Sequence, residues 1–233
     1  MTRRGEDTKN RLLDAAERLF AERGIDGVSL REINAAAGER NNAALYYHFR
    51  DRGGLVRAII QRNRPRFLSR QRALFDAAER DGRLSDLRTL VGILVRPSAE
   101  DLKVGVSERA WLRISAELVT RPQTAAEEIT AAADPTAYEA GRRIVEHLMR
   151  DCRLPGEFAV QRVRTVFASV AFMIASRAQF EDATNRRRAA PAIDLFIEDL
   201  VDITCAALEA PMSAESARLL ERPASSSRKG LRK

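Results

Sequence analysis

An all-helical chain is the fold class this sequence predicts, with an N-terminal three-helix helix-turn-helix unit followed by a larger helical domain. Three observations predict it. Apolar residues recur at the 3.6-residue period over long segments. Ala, Leu, Arg and Glu are abundant, whereas aromatics make up only 6% of the residues. No run of alternating β-branched residues marks a strand. At 233 residues, 45% of them hydrophobic, the chain can bury a real core as one large or two small domains.

Residues 1–7, with Arg3 and Arg4, read as a short polar arm: either an unstructured leader or a segment laid along DNA. A helix is predicted from about Thr8 to Arg23. Leu12, Ala16, Leu19 and Phe20 form its inner stripe, and Gly24 ends it. Ile25, Asp26 and Gly27 form a loop to Ser29. Ser29 followed by Glu32 is a capping-box pattern: the hydroxyl takes an orphan helix N–H, and the carboxylate reaches back to the backbone. Leu30, Ile33 and Ala37 then share one face of a short helix, which stops at Gly38. A second short helix follows from about Asn42 to His48. Two short helices across a tight turn present the second to a DNA major groove.

These residues resemble the DNA-binding domain of the TetR family of bacterial transcriptional regulators. The resemblance runs from Leu12-Leu13-Asp14-Ala15-Ala16 and Leu19-Phe20 through Ser29, Ile33 and Ala37-Gly38 to Leu45-Tyr46-Tyr47-His48-Phe49 and Arg52. It covers roughly residues 8 to 60. Gly38 lies seven positions before Leu45, one more than the family usually has, and Glu39-Arg40-Asn41-Asn42 replaces the usual Val-Ser after the glycine. The resemblance implies a DNA-binding domain over residues 1–54 and an effector-binding and dimerisation domain over 55–210; composition marks 211–233, ending in PASSSRKGLRK, as a basic, disordered tail.

Within the recognition segment, Leu45 and Phe49 are spaced to face the core. The residues expected at DNA are Ser29, Arg40, Asn41, Asn42, Tyr46, Tyr47, His48 and Arg52. Asn pairs bidentately with adenine, and Tyr, His and Ser hydroxyls or rings reach phosphates. By resemblance, Tyr46 and His48 fall on the family's LYxHF positions. Arg52 resembles the residue that contacts the DNA backbone, with a solvated surface arginine as the alternative.

The remaining chain carries no strong motif. A helix is predicted from Asp51 to about Ala77, kinked or broken at Pro65. Leu84 to Val95 reads as a helix ended by Pro97, and Gly105 to Leu118 as another. A long helix over 124–150 is expected to break at Asp134-Pro135. Glu157–Phe180 and Ala192–Leu208 are the most apolar helices of the second half. Val163, Phe167, Val170 and Ile174 on one, with Phe196 and Leu200 on the other, are the expected dimer interface. Filling of the protein's own core requires the same pattern. Trp111, Ile114, Leu118, Phe167 and Met173 are the expected apolar ligand pocket, each also readable as plain core.

Charge and composition narrow the function classes. Lys and Arg outnumber Asp and Glu 13 to 9 over residues 1–64 and 6 to 2 over residues 211–233, but not in between, at 21 to 22. The net +7 therefore sits at the two ends, where it attracts phosphate. Two cysteines, Cys152 and Cys205, give no disulfide framework. The longest strongly apolar uncharged run, Thr165–Ser176, has 12 residues, against the roughly 20 of a membrane span. The charged N-terminus carries no signal-peptide pattern, so a cytoplasmic location is expected. No Gly-rich phosphate loop, HExxH or GxSxG occurs, which argues against an enzyme. His147 and Cys152, five apart, fit one helical face poorly and are too few for a structural zinc site, so neither metal nor cofactor is expected. The resemblance implies a homodimer on a near-palindromic double-stranded DNA operator. Family habit alone favours a repressor over an activator, one released by a small-molecule effector, a small apolar ligand. The rival reading is a non-specific architectural DNA-binding protein.

Overall fold

A computed structural model describes residues 3–39, 43–119, 135–183 and 191–221. Among these residues there are ten α-helices, one short 3-10 turn and no strand. They are α1 Arg3–Arg23, α2 Leu30–Ala36, α3 Ala43–Phe49, α4 Arg52–Arg80, α5 Leu87–Ala99, α6 Val106–Val119, α7 Pro135–Arg150, α8 Gly156–Asp182, α9 Ile193–Glu209 and α10 Ala214–Glu221. The 3-10 turn, Glu100–Lys103, joins α5 to α6.

Two expectations about the ends are corrected. The polar arm is largely absorbed into α1, which begins at Arg3. The segment after Pro211 forms α10 before the tail. The proposed break at Asp134-Pro135 lies at the margin of the described residues, with α7 starting at Pro135.

The apolar residues divide into two cores. Leu12, Leu19 and Phe20 of α1, Ile33 of α2, Leu45 and Phe49 of α3, and Leu55, Ile59 and Ile60 of α4 form the first. Ile114 and Leu118 of α6 complete it. The N-terminal core thus extends past residue 54 along α4 and borrows a face of α6. The second core starts at Phe75 and Ala78 of α4 and collects α5, α7, α8 and α9 around Leu112 of α6. Helix α5 lies among α4, α7 and α9, while α6 bridges α1 and α8. The two cores therefore share α4 and α6 as common walls.

Neither proline ends its helix. Pro65 lies inside α4 and Pro97 inside α5. Proline removes the N–H that would bond the carbonyl four residues earlier. For Pro97 that carbonyl belongs to Ile93, and the Gln71 side-chain amide of α4 donates to it at 3.3 Å. Gln71 is fully buried. A long-range donor thus replaces the local one and lets α5 run on to Ala99.

Buried ion pairs stitch the walls together. Glu17 of α1 accepts from Arg62 and Asn63 of α4. Asp101 is buried between Arg66 and Arg70 of α4. Such pairs stabilise only when their polar atoms are well matched, and here each carboxylate meets two donors.

Helix α8 has a window of mean hydropathy 1.4, and by length and composition it could cross a membrane. The 12-residue uncharged run understated this, because isolated arginines interrupt an otherwise apolar helix. In the fold one face of α8 is buried through Ala159, Val170, Ile174 and Ala178 against its neighbours.

Candidate nucleic-acid interface

Helices α2 and α3 and the turn between them form the expected recognition unit. The Ser29 hydroxyl accepts from Glu32 N–H at 3.2 Å. Glu32 Oε2 accepts from Ser29 N–H at 2.8 Å and from the Ser29 hydroxyl at 2.7 Å. Arg23 Nη1 donates to the other Glu32 oxygen at 2.8 Å. The Ser29 backbone N–H first, then its hydroxyl and Arg23, hold the Glu32 carboxyl down to about 2. Ser29, expected at phosphate, is therefore engaged in both directions inside the cap.

The C-terminal end of α2 is a Schellman motif. Gly38 adopts φ +75°, open to glycine without strain. Gly38 N–H donates to Ala35 O at 3.1 Å and Glu39 N–H to Asn34 O at 3.0 Å. The Glu39 side chain turns back to α1, accepting from Arg11 at 2.5 Å and Thr8 at 3.3 Å. Arg40, Asn41 and Asn42 lie outside the described residues.

Helix α3 is anchored from below and open above. Leu45 and Phe49 are buried, as their spacing predicts. Tyr46 is 57% exposed and Tyr47 81% exposed. The Tyr47 and His48 rings meet edge-on at 5.1 Å between centroids, leaving His48 half-buried. The chain leaves α3 through Arg50, which sits at φ +68° and is exposed. Asp51 then caps α4 by accepting from Gly54 N–H at 2.7 Å. Gly54 packs so tightly beneath α3 that a Cβ there would fall 1.8 Å from Phe49 O.

Arg52 does not extend outward as the DNA-backbone reading assumed. Its guanidinium donates to the carbonyl of Ile25 in the α1–α2 loop. The same residue's N–H is held by the Glu117 carboxylate of α6, at 3.0 and 3.2 Å. Ile25 is thus gripped from the start of α4 and from the larger domain at once. Two basic side chains passed over in the sequence, Arg31 of α2 and Arg50, are exposed on this unit. A basic residue directly after Phe49 was the available signal for Arg50.

The expected ligand pocket splits between the two cores. Ile114 and Leu118 are buried in the N-terminal core, with Trp111 packed on it. Met173 packs on the other core. Phe167 lines a cavity of about 90 Å³, with Leu94, Ser98, Leu112, Ser115 and Ile174 among its walls. A second cavity of about 230 Å³ lies between α4 and α5, with Arg83, Arg88 and Arg96 at its polar side.

The expected dimer interface divides in the same way. Val170, Ile174 and Leu200 are buried in the chain's own core. Val163, Phe167 and Phe196 are partly buried against it. The apolar side chains that α8 and α9 leave exposed are others: Val160, Phe172 and Phe180, with Leu195 and Ile203.

Comparison with known proteins agrees with this geometry. Residues 12–59 match the family model described as bacterial regulatory proteins, tetR family. Over 54 residues the chain is 41% identical to the HTH-type transcriptional regulator AcrR of Shigella flexneri, covering 23% of this chain and 25% of that one. The match thus spans about a quarter of that relative's length. The crystal structure of a HlyIIR mutant covers 87% of this chain and 96% of its own, at 18% identity and TM-score 0.52. The fatty acid degradation regulator FadR from Bacillus halodurans covers 88% of this chain and 99% of its own, at 16% identity and TM-score 0.50. At those identities the solved structures establish the fold, a helix-turn-helix domain joined to a helical domain. The helix-turn-helix segment carries the kinship: over residues 12–59 the chain is similar to the tetR family of bacterial regulatory proteins.

Proposed function

We propose that this chain is a homodimeric transcriptional repressor that binds a near-palindromic DNA operator and is released by a small molecule. The observation that carries the reading is α3. A seven-residue helix, pinned by Leu45 and Phe49, turns two adjacent tyrosines outward at 57% and 81% exposure. Their hydroxyls suit phosphate oxygens, and their rings suit groove edges. Arg31 and Arg50 add positive charge on the same unit.

Dimerisation through α8 and α9 is supported by the apolar side chains they leave uncovered, Phe172, Val160, Leu195 and Ile203. Small residues beside Phe172, namely Ala168, Ser169 and Ser176, allow close helix approach. A two-fold pairing would set two copies of α3 about one DNA turn apart. Release by an effector is supported by α4 and α6, which belong to both cores. A ligand widening the Phe167 cavity would press on the walls that carry the recognition unit. That cavity, about 90 Å³, is below the roughly 300–1,000 Å³ of ordinary ligand sites, so the bound state must be the wider one. A tenfold loss of operator affinity requires about 1.4 kcal/mol of ligand preference for that state.

The test is a gel shift of the full chain on DNA flanking its own gene, across a salt series. The expected result is sequence-preferring, salt-sensitive retardation by a dimer. Binding equal for all sequences would favour the architectural reading, and a folded dimer without retardation would refute both.

A further inference from the structure

We propose that His147, Cys152 and Glu209 form a site for a divalent d-block cation of the zinc class, with Asp151 holding the histidine from behind. The chain has only two histidines and two cysteines. One of each meets a carboxylate here, at a point unconnected with the DNA-facing unit. His147 lies in the last turn of α7, Cys152 just beyond that helix, and Glu209 is the final residue of α9. One donor atom from each lies within 4.8 Å of the others. The sequence separation of His147 and Cys152 concealed this, because the third donor comes from a different helix.

The distances suit a metal. His147 Nε2 and Glu209 Oε1 are 3.1 Å apart. Tetrahedral zinc, with bonds of about 2.0–2.2 Å to N and O, sets such donors roughly 3.3–3.5 Å apart. The nitrogen and oxygen are already near that spacing, and the Cys152 sulfur, within 4.8 Å of the other donors, would have to approach to a Zn–S bond of about 2.3 Å. The other ring nitrogen, Nδ1, is buried and lies 2.8 Å from Asp151 Oδ2, off the line of an ideal hydrogen bond. Asp151 is itself fixed by Arg150, at 2.9 and 3.0 Å. A carboxylate behind the ring is the usual partner of a metal-ligating histidine, setting its tautomer and orientation.

Charge agrees with geometry. A neutral imidazole, a thiolate and a carboxylate neutralise one divalent ion, and a mixed N, S and O set selects zinc-like over hard cations. Without an ion, burial and the Glu209 and Asp151 carboxylates push the Cys152 thiol up. A bound cation reverses that balance and leaves a thiolate. The neighbouring Arg162 is turned to the carbonyls of Leu208 and Ala210. The fourth position is open to water. An ion here would tie the end of α7 to the end of α9, one of the two helices with an uncovered apolar face.

The competing arrangement is an imidazolium between two carboxylates, which has no need of Cys152. Titration of the untagged, chelator-stripped full chain with Co(II), followed by Zn(II) competition against a chromophoric chelator, separates the two. The expected result is one Co(II) per chain with a thiolate-to-metal charge-transfer absorption, absent in Cys152→Ser. Zinc affinity should fall by about tenfold or more in Cys152→Ser and in Glu209→Gln and stay unchanged in Cys205→Ser. Glu209 is half-exposed, so its variant folds, which circular dichroism checks. No saturable binding, or binding whose absorption and affinity survive Cys152→Ser, would overturn the proposal.

Discussion

Replacing Glu117 with Ala should cost the protein about 2 kcal/mol and loosen the recognition unit, though Glu117 lies on the far domain. Ile25 is 1% exposed, and its N–H donates to both Glu117 oxygens at 3.0 and 3.2 Å. A hydrogen bond to a charged group is worth about 1.5–3 kcal/mol, and an orphaned buried N–H costs about 1–3 kcal/mol. Alanine removes the acceptor and gives the loop no replacement. Glutamine keeps one carbonyl acceptor but loses the charge and the second accepting oxygen, so Glu117→Gln should cost about half as much. Urea unfolding measures both. With a slope of about 2 kcal/mol/M, the alanine midpoint falls by about 1 M at unchanged slope. Amide exchange at Ile25 should accelerate in step. An alanine variant within about 0.5 kcal/mol of the parent, or a glutamine variant as damaged as alanine, would refute the claim that this contact clamps the loop.

Three further outcomes are expected. Tyr47→Ala should weaken operator binding by about tenfold while leaving stability within about 0.5 kcal/mol, because the side chain is 81% exposed; paired gel shifts and melting curves check it, and a folding defect would contradict its outward placement. Phe172→Glu should convert the dimer to monomer in light scattering and abolish cooperative operator binding, since it places charge on the exposed stripe of α8. The Glu32 carboxyl lies below its ordinary 4.5, at about 2. Its contribution is therefore complete above pH 4.5 and lost as pH falls from 4.5 toward 2. Glu32→Gln should flatten the acid limb of a stability–pH curve over that window, and an unchanged limb would count against the cap.

The local grammar of the fold is legible in the sequence. Ser29 and Glu32 announced a capping box, Gly38 a left-handed stop, and Leu45 with Phe49 an inward face, because each depends on residues within one helical turn. What the sequence concealed was long-range. The stripe of Ile114 and Leu118 shows burial but not against which neighbour, and α1 rather than a ligand covers it. Val170, Ile174 and Leu200 carry the strongest stripes, and strength of stripe marks the innermost face. The apolar side chains left exposed are the weaker row through Phe172 and Ile203. Arg52 has the right identity and position for phosphate, but a carbonyl from a loop 27 residues away claims its guanidinium. Glu209 could not be joined to His147 and Cys152 by spacing, since the closeness of two helix ends is a property of the packed domain.

The bond from Gln71 to the carbonyl that Pro97 leaves vacant also restricts how α4 can move. Helix α4 runs from the recognition unit into the larger domain. Axial sliding by even one residue is a shift of about 1.5 Å, enough to break a contact already 3.3 Å long. That would strand a buried amide and a buried carbonyl together. Rotation about Gln71 preserves the bond. The bond therefore opposes sliding of α4 more than pivoting about Gln71, and a pivot would carry Asp51, Arg52 and Gly54 along an arc.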